Sequence, residues 1–460
     1  MTRPESFFVR TYGCQMNARD SEILSALLLR HGYVPARTEE EADVILVNTC
    51  SVRDKAEEKA LGKLGLMAAG KKTRPGRLVG AVGCMVQRMG AGLPARIKGL
   101  DFAVGTHRLA ALPAVIAAAR AGRGPVVEIG AGPDEERDTG EHLPSGPTAF
   151  VSILFGCNRR CSYCVVPRVR GREWSRPAEA VLREVRTLAA FGVREVTLLG
   201  QSVMDYGRRQ PVWPAGAVSE RGFAGPFPRL LEAVSAVPGI VRVRFTSGHP
   251  AGCSMELARA MAQLPRVCEH IHLPVQSGSD AVLRRMRRGY TAERYRAAVG
   301  RLRAAVPGLA VTTDIIVGFP GETSEDFAAT RRLMEEVGFD NAFIFKYSPR
   351  PQTTAALCPD DVPQAEKERR NQILLADQNQ RSLAVHRALV GRELEVLVEG
   401  VSRRNLERWT GRTRTNTIAL FTPTRGMAPG DVIQVRIERA APQALYGAVR
   451  PAAATEERKG

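Results

Sequence analysis

Residues 155–164, "FGCNRRCSYC", place Cys157, Cys161 and Cys164 within eight positions, with two arginines between the first pair. The spacing C-x3-C-x2-C is open to three chemistries: a disulfide knot, a zinc site or a seat for iron and sulfur. Zinc normally takes a fourth Cys or His at similar local spacing, and none follows closely. Three close thiolates without a fourth suit a [4Fe–4S] cluster with one iron left open. The chain holds nine cysteines, an odd number, which does not suit a complete disulfide framework.

Compartment bears on the same choice. The opening "MTRPESFFVRTYG" carries charge and proline before any apolar run. The longest apolar stretch, "LAALPAVIAAA" from Leu109, is too short to span a bilayer and contains Pro113. A cytoplasmic, reducing location is expected, where cysteine clusters are more often metal ligands or catalytic than disulfides. At 460 residues the chain calls for two or three domains. With 44% hydrophobic and 25% charged residues it is globular rather than disordered. Lys and Arg number 66 against 48 Asp and Glu, a net charge of +18, and the pI is about 10.0. That surplus points to a polyanion, with nucleic acid the leading candidate, although an arginine-rich proteome gives the same balance.

Upstream of the motif lie three more cysteines, 36 and 34 residues apart. "SFFVRTYG" reads as a strand, followed by Cys14 and a helical stretch, "SEILSALLLRHGY". "ADVILVNT" is a nearly continuous apolar run, the mark of a buried parallel strand, and Cys50 follows it. "SVRDKAEEKALGKLG" reads as a helix with Ser51 as its N-cap. "RLVGAVG" is a third strand, ending at Cys84. Each cysteine thus sits just past the carboxyl end of a strand, about one β–α repeat from the next. In an open parallel sheet those ends share one edge, so Cys14, Cys50 and Cys84 are expected to converge there. Three ordinary core cysteines would lie within strands or helices instead.

Residues 123–147 fall in a stretch rich in Gly, Pro and acids and read as a linker or ordered strap. "AFVSILFG" then runs as a strand into the cysteine motif, which resembles that of the radical-SAM superfamily, with Tyr163 just before the last cysteine. There the open iron binds the amino and carboxylate groups of S-adenosylmethionine (SAM), and an electron from the cluster cleaves the sulfonium to give a carbon-centred radical. Beyond the motif, "REVTLLGQS", "VRVRFTSGHP", "HIHLPVQSGSD", "VTTDIIVGFPGE" and "NAFIFKYSPRP" read as strands. Helical stretches such as "PAEAVLREVRTLAAFG" and "TAERYRAAVGRLRAAV" lie between them. Repeated β–α units imply a full or partial (β/α) barrel with its chemistry at the carboxyl-terminal mouth. The loops there hold Gln201, Ser202, His249, Gln276, Ser277, Asp314 and Glu322. Gln201, Gln276, Ser277, Asp314 and Glu322 are the candidates for binding SAM, and for each a role as turn, cap or helix start is as good a reading. "VLRRMRRGY", with four arginines around Met286, is either a phosphate contact or a solvated helix end. Cys253, Cys268 and Cys358 have no mutual spacing and read as ordinary.

From about residue 382 the pattern changes to short alternating strands: "RELEVLVEG", "LERWTGRTRTNTIALF", "DVIQVRIERA" and "ALYGAV". An all-β unit carrying Arg403, Arg404, Arg408, Trp409, Arg412 and Arg414 resembles a small barrel that binds RNA. Arginines would track phosphates and Trp409 would stack on a base; the bland alternative is a charged face. The tail 451–460 is expected to be disordered.

Taken whole, residues 7–440 resemble the methylthiotransferases, and within them the subgroup that acts on N6-dimethylallyladenosine in tRNA. "TYGCQMN", "NTCSVRDKAEEK", "GCMVQ", "GCNRRCSYCVVPRVRG", "HLPVQSGSD", "TDIIVGFPGET" and "YSPRP" match that subgroup in order and spacing. The resemblance implies a three-cysteine domain at 5–122, a linker at 123–147, a radical-SAM domain at 148–381 and a TRAM-like RNA-binding domain at 382–450. It implies two [4Fe–4S] clusters and SAM. Cys157, Cys161 and Cys164 would hold the catalytic cluster, and Cys14, Cys50 and Cys84 an auxiliary one that takes part in delivering sulfur. The reaction would place a methylthio group on C2 of the base at position 37, next to the anticodon. The implied partners are a tRNA anticodon stem-loop and an electron donor of flavodoxin or ferredoxin type, with the sulfur source open, no membrane and a monomeric chain. Threonylcarbamoyl-adenosine in tRNA and an aspartate of a ribosomal protein are the rival substrates, and an RNA-binding iron–sulfur sensor is the non-catalytic rival. Some positions depart from the family pattern. Ser202 and Met204 stand where asparagines are usual, Ser247-Gly248 where Thr-Ser is usual, and Gln352 where Gly is usual.

Overall fold

Six strands open the chain: β1 (Ser6–Thr11), β2 (Val34–Pro35), β3 (Val44–Thr49), β4 (Leu78–Gly83), β5 (Phe102–Val104) and β6 (Val126–Glu128). They form one sheet in the order β2-β1-β3-β4-β5-β6, with every pairing parallel. The structure is a computed structural model describing residues 3–52, 54–132, 143 and 146–450. The tail expected to be disordered lies outside the described residues. Alternate residues of β3 face opposite ways, and both faces are covered. Val44 and Leu46 pack with Leu24, Leu27 and Leu28 of α1 (Gln15–Arg30) and with Val115 and Ile116 of α5 (Leu112–Arg120). Ile45 and Val47 pack with Ala60, Leu64 and Met67 of α2 (Asp54–Ala69), and with α3 (Cys84–Met89) and α4 (Leu93–Arg96). Coverage on both sides is why these strands read as unbroken apolar runs. Two expectations change. Helix α2 starts at Asp54, so Ser51 does not cap it; Ser51 is buried and its Oγ accepts from Arg88 Nε at 3.3 Å. Residues 126–128, within the expected linker, form β6 and complete the sheet.

The second unit begins with β7 (Thr148–Ser152), followed by β8 (Leu154–Phe155), α6 (Val166–Val169) and β9 (Trp174–Ser175); β8 and β9 pair antiparallel around the cysteine loop. Then β and α alternate: α7 (Ala178–Ala190), β10 (Glu195–Leu199), α8 (Pro226–Ala236), β11 (Arg242–Phe245), α9 (Met255–Gln263) and β12 (His270–His272). After α10 (Asp280–Arg285) and α11 (Ala292–Ala305) come β13 (Ala310–Val317), α12 (Ser324–Val337) and β14 (Asn341–Lys346). Strands β7, β10 and β11 form one parallel sheet and β12, β13 and β14 another, joined by a parallel bridge between Val243 and Val267. Among the described residues β7 and β14 do not pair, so the barrel is a six-stranded partial one. Helix α13 (Gln364–Arg387) crosses the boundary expected at 381/382. Its Gln378 donates to Phe339 O at 2.9 Å, while His386 Nδ1 lies 2.7 Å from Ala441 O, so one helix is anchored to both flanking units.

The third unit is a closed five-stranded barrel ordered β15-β16-β17-β19-β18: β15 (Glu393–Val401), β16 (Trp409–Thr413), β17 (Ile418–Phe421), β18 (Val432–Ala441) and β19 (Ala444–Val449). It closes on Val396, Val398, Phe421, Val435 and Ile437. The β16–β17 hairpin docks at the amino-terminal ends of the partial barrel's strands. Arg242 donates to Arg412 O (2.6 Å) and Glu395 (2.7 Å), and Arg244 to Thr413 O and Arg414 O (2.7 Å each). Arg414 closes the contact with a forked pair to Glu269 at 2.8 and 2.7 Å. Among the described residues no helix is long and apolar enough to cross a membrane.

Arg242 is 1% exposed beside the equally buried Glu195. Arg242→Ala leaves Glu195 paired with Arg244 alone (3.0 Å) and frees the carbonyls of Arg412 and Glu395, at about 1–3 kcal/mol for each acceptor left buried and unpaired. Chemical denaturation should show that loss, with faster proteolysis at residues 388–392; an unchanged midpoint would contradict this docking account.

Candidate metal and cofactor centre

The three upstream cysteines fall at one sheet edge, past three neighbouring strands. Cys14 precedes α1 as its N-cap after β1, Cys50 follows β3, and Cys84 opens α3 directly after β4. The chain is tight there. Gly13 (φ +131°) and Gly83 (φ +100°) each precede a cysteine; a Cβ on Gly13 would lie 2.8 Å from Cys50 Cβ, and one on Gly83 would lie 2.5 Å from Asn48 Oδ1. Two buried asparagines frame the edge. Asn17 Nδ2 donates to Asn48 Oδ1 (3.0 Å) and Thr49 O (2.9 Å), and Asn48 Nδ2 donates to Asn17 O (2.8 Å) and Ser21 Oγ (2.9 Å). Cys50 Sγ accepts from Val52 N–H at 3.3 Å, and Cys84 Sγ from Arg170 Nε at 3.2 Å.

The second triad sits on the loop between β8 and α6. Gly156 (φ +73°) starts it; a Cβ there would meet Arg172 O at 2.0 Å. Cys157 N–H donates to Gly171 O, Cys164 N–H to Cys161 O, and Ser162 Oγ to Arg285 O at 2.8 Å. Cys157 Sγ accepts from Arg159 N–H at 3.5 Å, and Cys161 Sγ from Arg288 Nη1 at 3.3 Å. The two triads border the same interface. Cys14 packs in an apolar cluster with Met16, Phe155 and Trp174, and Cys84 in one with Val165 and Val169.

Burial pushes the thiols of Cys84 and Cys164 up to about 12, and raises that of Cys157. Such groups stay neutral unless a metal takes the proton's place. Among the described residues no three His, Cys, Asp or Glu side chains are placed to hold a single ion. A cubane takes one thiolate per iron corner, and so spaces its ligands more widely than one tetrahedral ion with Zn–S bonds of about 2.3 Å. N–H donors aimed at sulfur complete a setting that fits iron–sulfur clusters.

The loop candidates divide. Gln276 is buried with φ +73°, and its Oε1 has no partner among the described residues; Gln201 Oε1 is likewise unpaired. Two buried acceptors left open are what a polar ligand would satisfy. Asp314 Oδ2 lies 3.3 Å from His272 Nε2. Ser277 and Glu322, in contrast, are already occupied. Ser277 Oγ meets Thr330 Oγ1 at 3.2 Å, while Glu322 accepts from Gly318 N–H (2.9 Å) and pairs with Arg370 of α13 (2.6 Å). Ser202 Oγ donates to Asp205 at 2.7 Å. Met204 and Gly248 pack directly against each other. A Cβ on Gly248 would lie 2.7 Å from Met204 Cε, so the long side chain at 204 occupies the space that a residue larger than glycine at 248 would need. Gln352 and Ser247 adopt φ +70° and +63°, a strained choice for non-glycine residues.

Of the arginines assigned to RNA, Arg414 is held by a forked pair to Glu269, and Arg412, about a third exposed, pairs with Glu399 (3.0 Å) and Asn416. Trp409 is half-buried against the barrel core. Arg403 and Arg404 are exposed, and Arg408 and Arg439 flank the Tyr446 ring at 5.6 and 3.5 Å. Cys253 and Cys268 are buried core residues and Cys358 is exposed. Sequence reasoning missed Asn17 and Asn48, whose nearness to cysteines in "CQMN" and "NTC" was a usable signal. It also missed Asp20, Arg170 and Arg288, whose partners lie 86 to 150 residues away and leave no local trace.

His249, whose Nδ1 accepts from Ala251 N–H, packs edge-on to Tyr290 with centroids 5.4 Å apart. Burial, then Arg288 and Arg159, hold it down to about 2 from the usual 6.5. The unfolded chain therefore binds a proton that the native chain does not. The stability this residue contributes is full above pH 6.5 and declines below it by up to about 1.4 kcal/mol per pH unit. Denaturation at pH 7.5, 6 and 5 should show a shallower acid loss for His249→Gln than for the parent; equal slopes would refute a neutral His249.

Comparison with known proteins agrees with this division. Residues 6–105 match the model described as Uncharacterized protein family UPF0004, residues 151–334 that of the Radical SAM superfamily, and residues 387–449 the TRAM domain. The chain is 44% identical over 460 residues to the tRNA-2-methylthio-N(6)-dimethylallyladenosine synthase of Akkermansia muciniphila, covering 96% of this chain and 98% of that protein. It is 45% identical over 451 residues to the synthase of the same name from Moorella thermoacetica, again covering 96% and 98%. Among solved structures, the radical S-adenosylmethionine methyltransferase TsrM from Kitasatospora setae, with cobalamin and a [4Fe-4S] cluster bound, shares the fold. Its TM-score is 0.58 at 14% identity, over 78% of this chain and 77% of that one. The chain belongs to the family of the tRNA-2-methylthio-N(6)-dimethylallyladenosine synthases.

Proposed function

We propose that this chain is a radical-SAM methylthiotransferase that modifies C2 of N6-dimethylallyladenosine at position 37 of tRNA. The observation that carries the reading is the delivery of three cysteines to one parallel-sheet edge, where Cys14 and Cys84 pack against residues that flank the second triad. Cys157, Cys161 and Cys164 would hold the [4Fe–4S] cluster used with SAM, and Cys14, Cys50 and Cys84 an auxiliary [4Fe–4S] cluster. When bound, these groups supply the electron that cleaves SAM, the radical that takes hydrogen from C2, and an open iron for the incoming sulfur.

The chain's own residues set the stage. The β8–β9 pair and Ser162 fix the cysteine loop, Gln201 and Gln276 offer unpaired amide oxygens, and Asp314 with His272 adds a polar pair. The exposed Arg403, together with Arg408 and Arg439 on the Tyr446 ring, is best suited to RNA, since Arg412 and Arg414 already pair with Glu399 and Glu269. The target base must leave its loop to reach the barrel mouth, which a single-stranded loop permits at modest cost. The partners in this reading are the anticodon stem-loop and a flavodoxin- or ferredoxin-type electron donor, with the chain a monomer.

The test is anaerobic reconstitution with iron and sulfide, followed by SAM, reductant and tRNA bearing N6-dimethylallyladenosine, with nucleosides read by mass spectrometry. A methylthio group in place of hydrogen is expected. Deoxyadenosine without a changed nucleoside would reject the substrate and bring forward threonylcarbamoyl-tRNA or a ribosomal protein. Cys157→Ala should abolish SAM cleavage, whereas Cys50→Ala should keep cleavage and lose the methylthio product. Replacing Arg403 and Arg408 with alanine should weaken tRNA binding and lower its salt slope by about one per lost phosphate contact. Arg414→Ala should instead loosen the docking of the β-barrel; an undisturbed barrel with weakened tRNA binding would reverse these assignments.

A further inference from the structure

The two cysteine triads share one device and differ in how it is balanced. In each, one thiol accepts from a buried arginine on a distant element: Arg170 Nε to Cys84 Sγ at 3.2 Å, and Arg288 Nη1 to Cys161 Sγ at 3.3 Å. Arg170 spends its charge on Asp20, which it grips with both Nη atoms at 3.1 and 2.5 Å. Arg288 has no carboxylate partner among the described residues. Its remaining bonds run to the Tyr290 hydroxyl (3.0 Å), the Tyr163 hydroxyl (3.4 Å) and Pro274 O (2.9 Å). Both partners are tyrosine hydroxyls, which carry no charge near neutral pH, so neither offers a counter-charge.

A guanidinium taken out of water without an anion is expensive. The anion that the site around Arg288 is shaped for is a thiolate-ligated cluster. Reducing such a cluster by one electron makes it more negative, so a nearby fixed cation and an N–H aimed at its sulfur favour the reduced form. Beside Cys84 the same cation is cancelled by Asp20.

We propose that Arg288 is a positioning residue that holds the Cys161 thiolate and raises the reduction potential of the cluster on Cys157, Cys161 and Cys164, whereas Asp20, by neutralising Arg170, withholds that effect from the cluster on Cys14, Cys50 and Cys84. The inference rests on the two-cluster reading above. Of the four arginines around Met286, Arg288 is the buried one and faces the cysteine loop, while Arg284, Arg285 and Arg287 are exposed.

The experiment is a redox titration of the reconstituted full chain, followed by electron paramagnetic resonance. In a Cys14→Ala, Cys50→Ala, Cys84→Ala background only the cluster beside Arg288 remains. There Arg288→Gln should move the midpoint to more negative values, and Arg288→Lys, which keeps the charge, should restore most of it. A fully loaded Arg288→Gln chain with the parent's midpoint overturns the inference. In the reciprocal Cys157→Ala, Cys161→Ala, Cys164→Ala background, Asp20→Asn should move the other cluster to more positive values. That arm decides the matter if Arg288→Gln fails to fold, and an unchanged midpoint there overturns the inference too. Failure of a parent background to form a four-iron signal overturns the two-cluster reading itself, an outcome distinct from an unmoved potential.

Discussion

A ladder of buried ion pairs ties the amino-terminal sheet to the partial barrel, and the placement of both cysteine triads depends on it. Arg19 of α1 meets Glu184 of α7 at 3.1 Å, Glu184 meets Arg176 at 2.6 Å, and Asp20 meets Arg170 at 2.5 Å, all with side chains at most 6% exposed. Buried pairs of this kind are weak contributors to net stability, because desolvation offsets most of the attraction. Their consequence here is geometric. Arg19 and Asp20 lie one turn into the helix that Cys14 caps, so fixing them on the barrel fixes the sheet edge against the cysteine loop.

The same logic separates the molecule into two ends. All strands of the sheet and of the partial barrel run parallel within their units, so the cysteines and the open amide oxygens collect where those strands end. The small closed barrel is docked at the opposite ends, by arginines that reach backbone carbonyls as well as carboxylates. Carbonyl acceptors demand a defined backbone conformation in the β16–β17 hairpin, so docking and hairpin shape are one requirement. Helix α13 reinforces this by running without a break from the partial barrel to the β-barrel.

The core around Met204 carries its own constraint. Met204 fills the space beside Gly248 and also lies against Gly252, where a Cβ would be 2.5 Å from its Cβ. A change at any of these positions must be answered at another, because close-packed interiors have no spare volume.

The sequence by itself determined the parallel α/β sheet, the barrel repeats, the closing β-barrel and the six cysteines, because each rests on a local signal. Continuous apolar runs mark strands covered on both faces, and a cysteine after each such run has its place dictated by parallel pairing. Segment ends were less legible. Ser51 looked like a cap although its helix starts at Asp54, and the Gly/Pro-rich stretch hid β6, whose formation depends on the neighbouring strand β5. Only the tertiary structure decided what the charged residues do. Arg414 reads as an RNA contact until Glu269 is found beside it, 145 residues away, and Arg170 and Arg288 show no purpose until Cys84 and Cys161 lie against them. A charge acts on whatever lies within a few ångströms, and its neighbours in the sequence do not say which groups those will be.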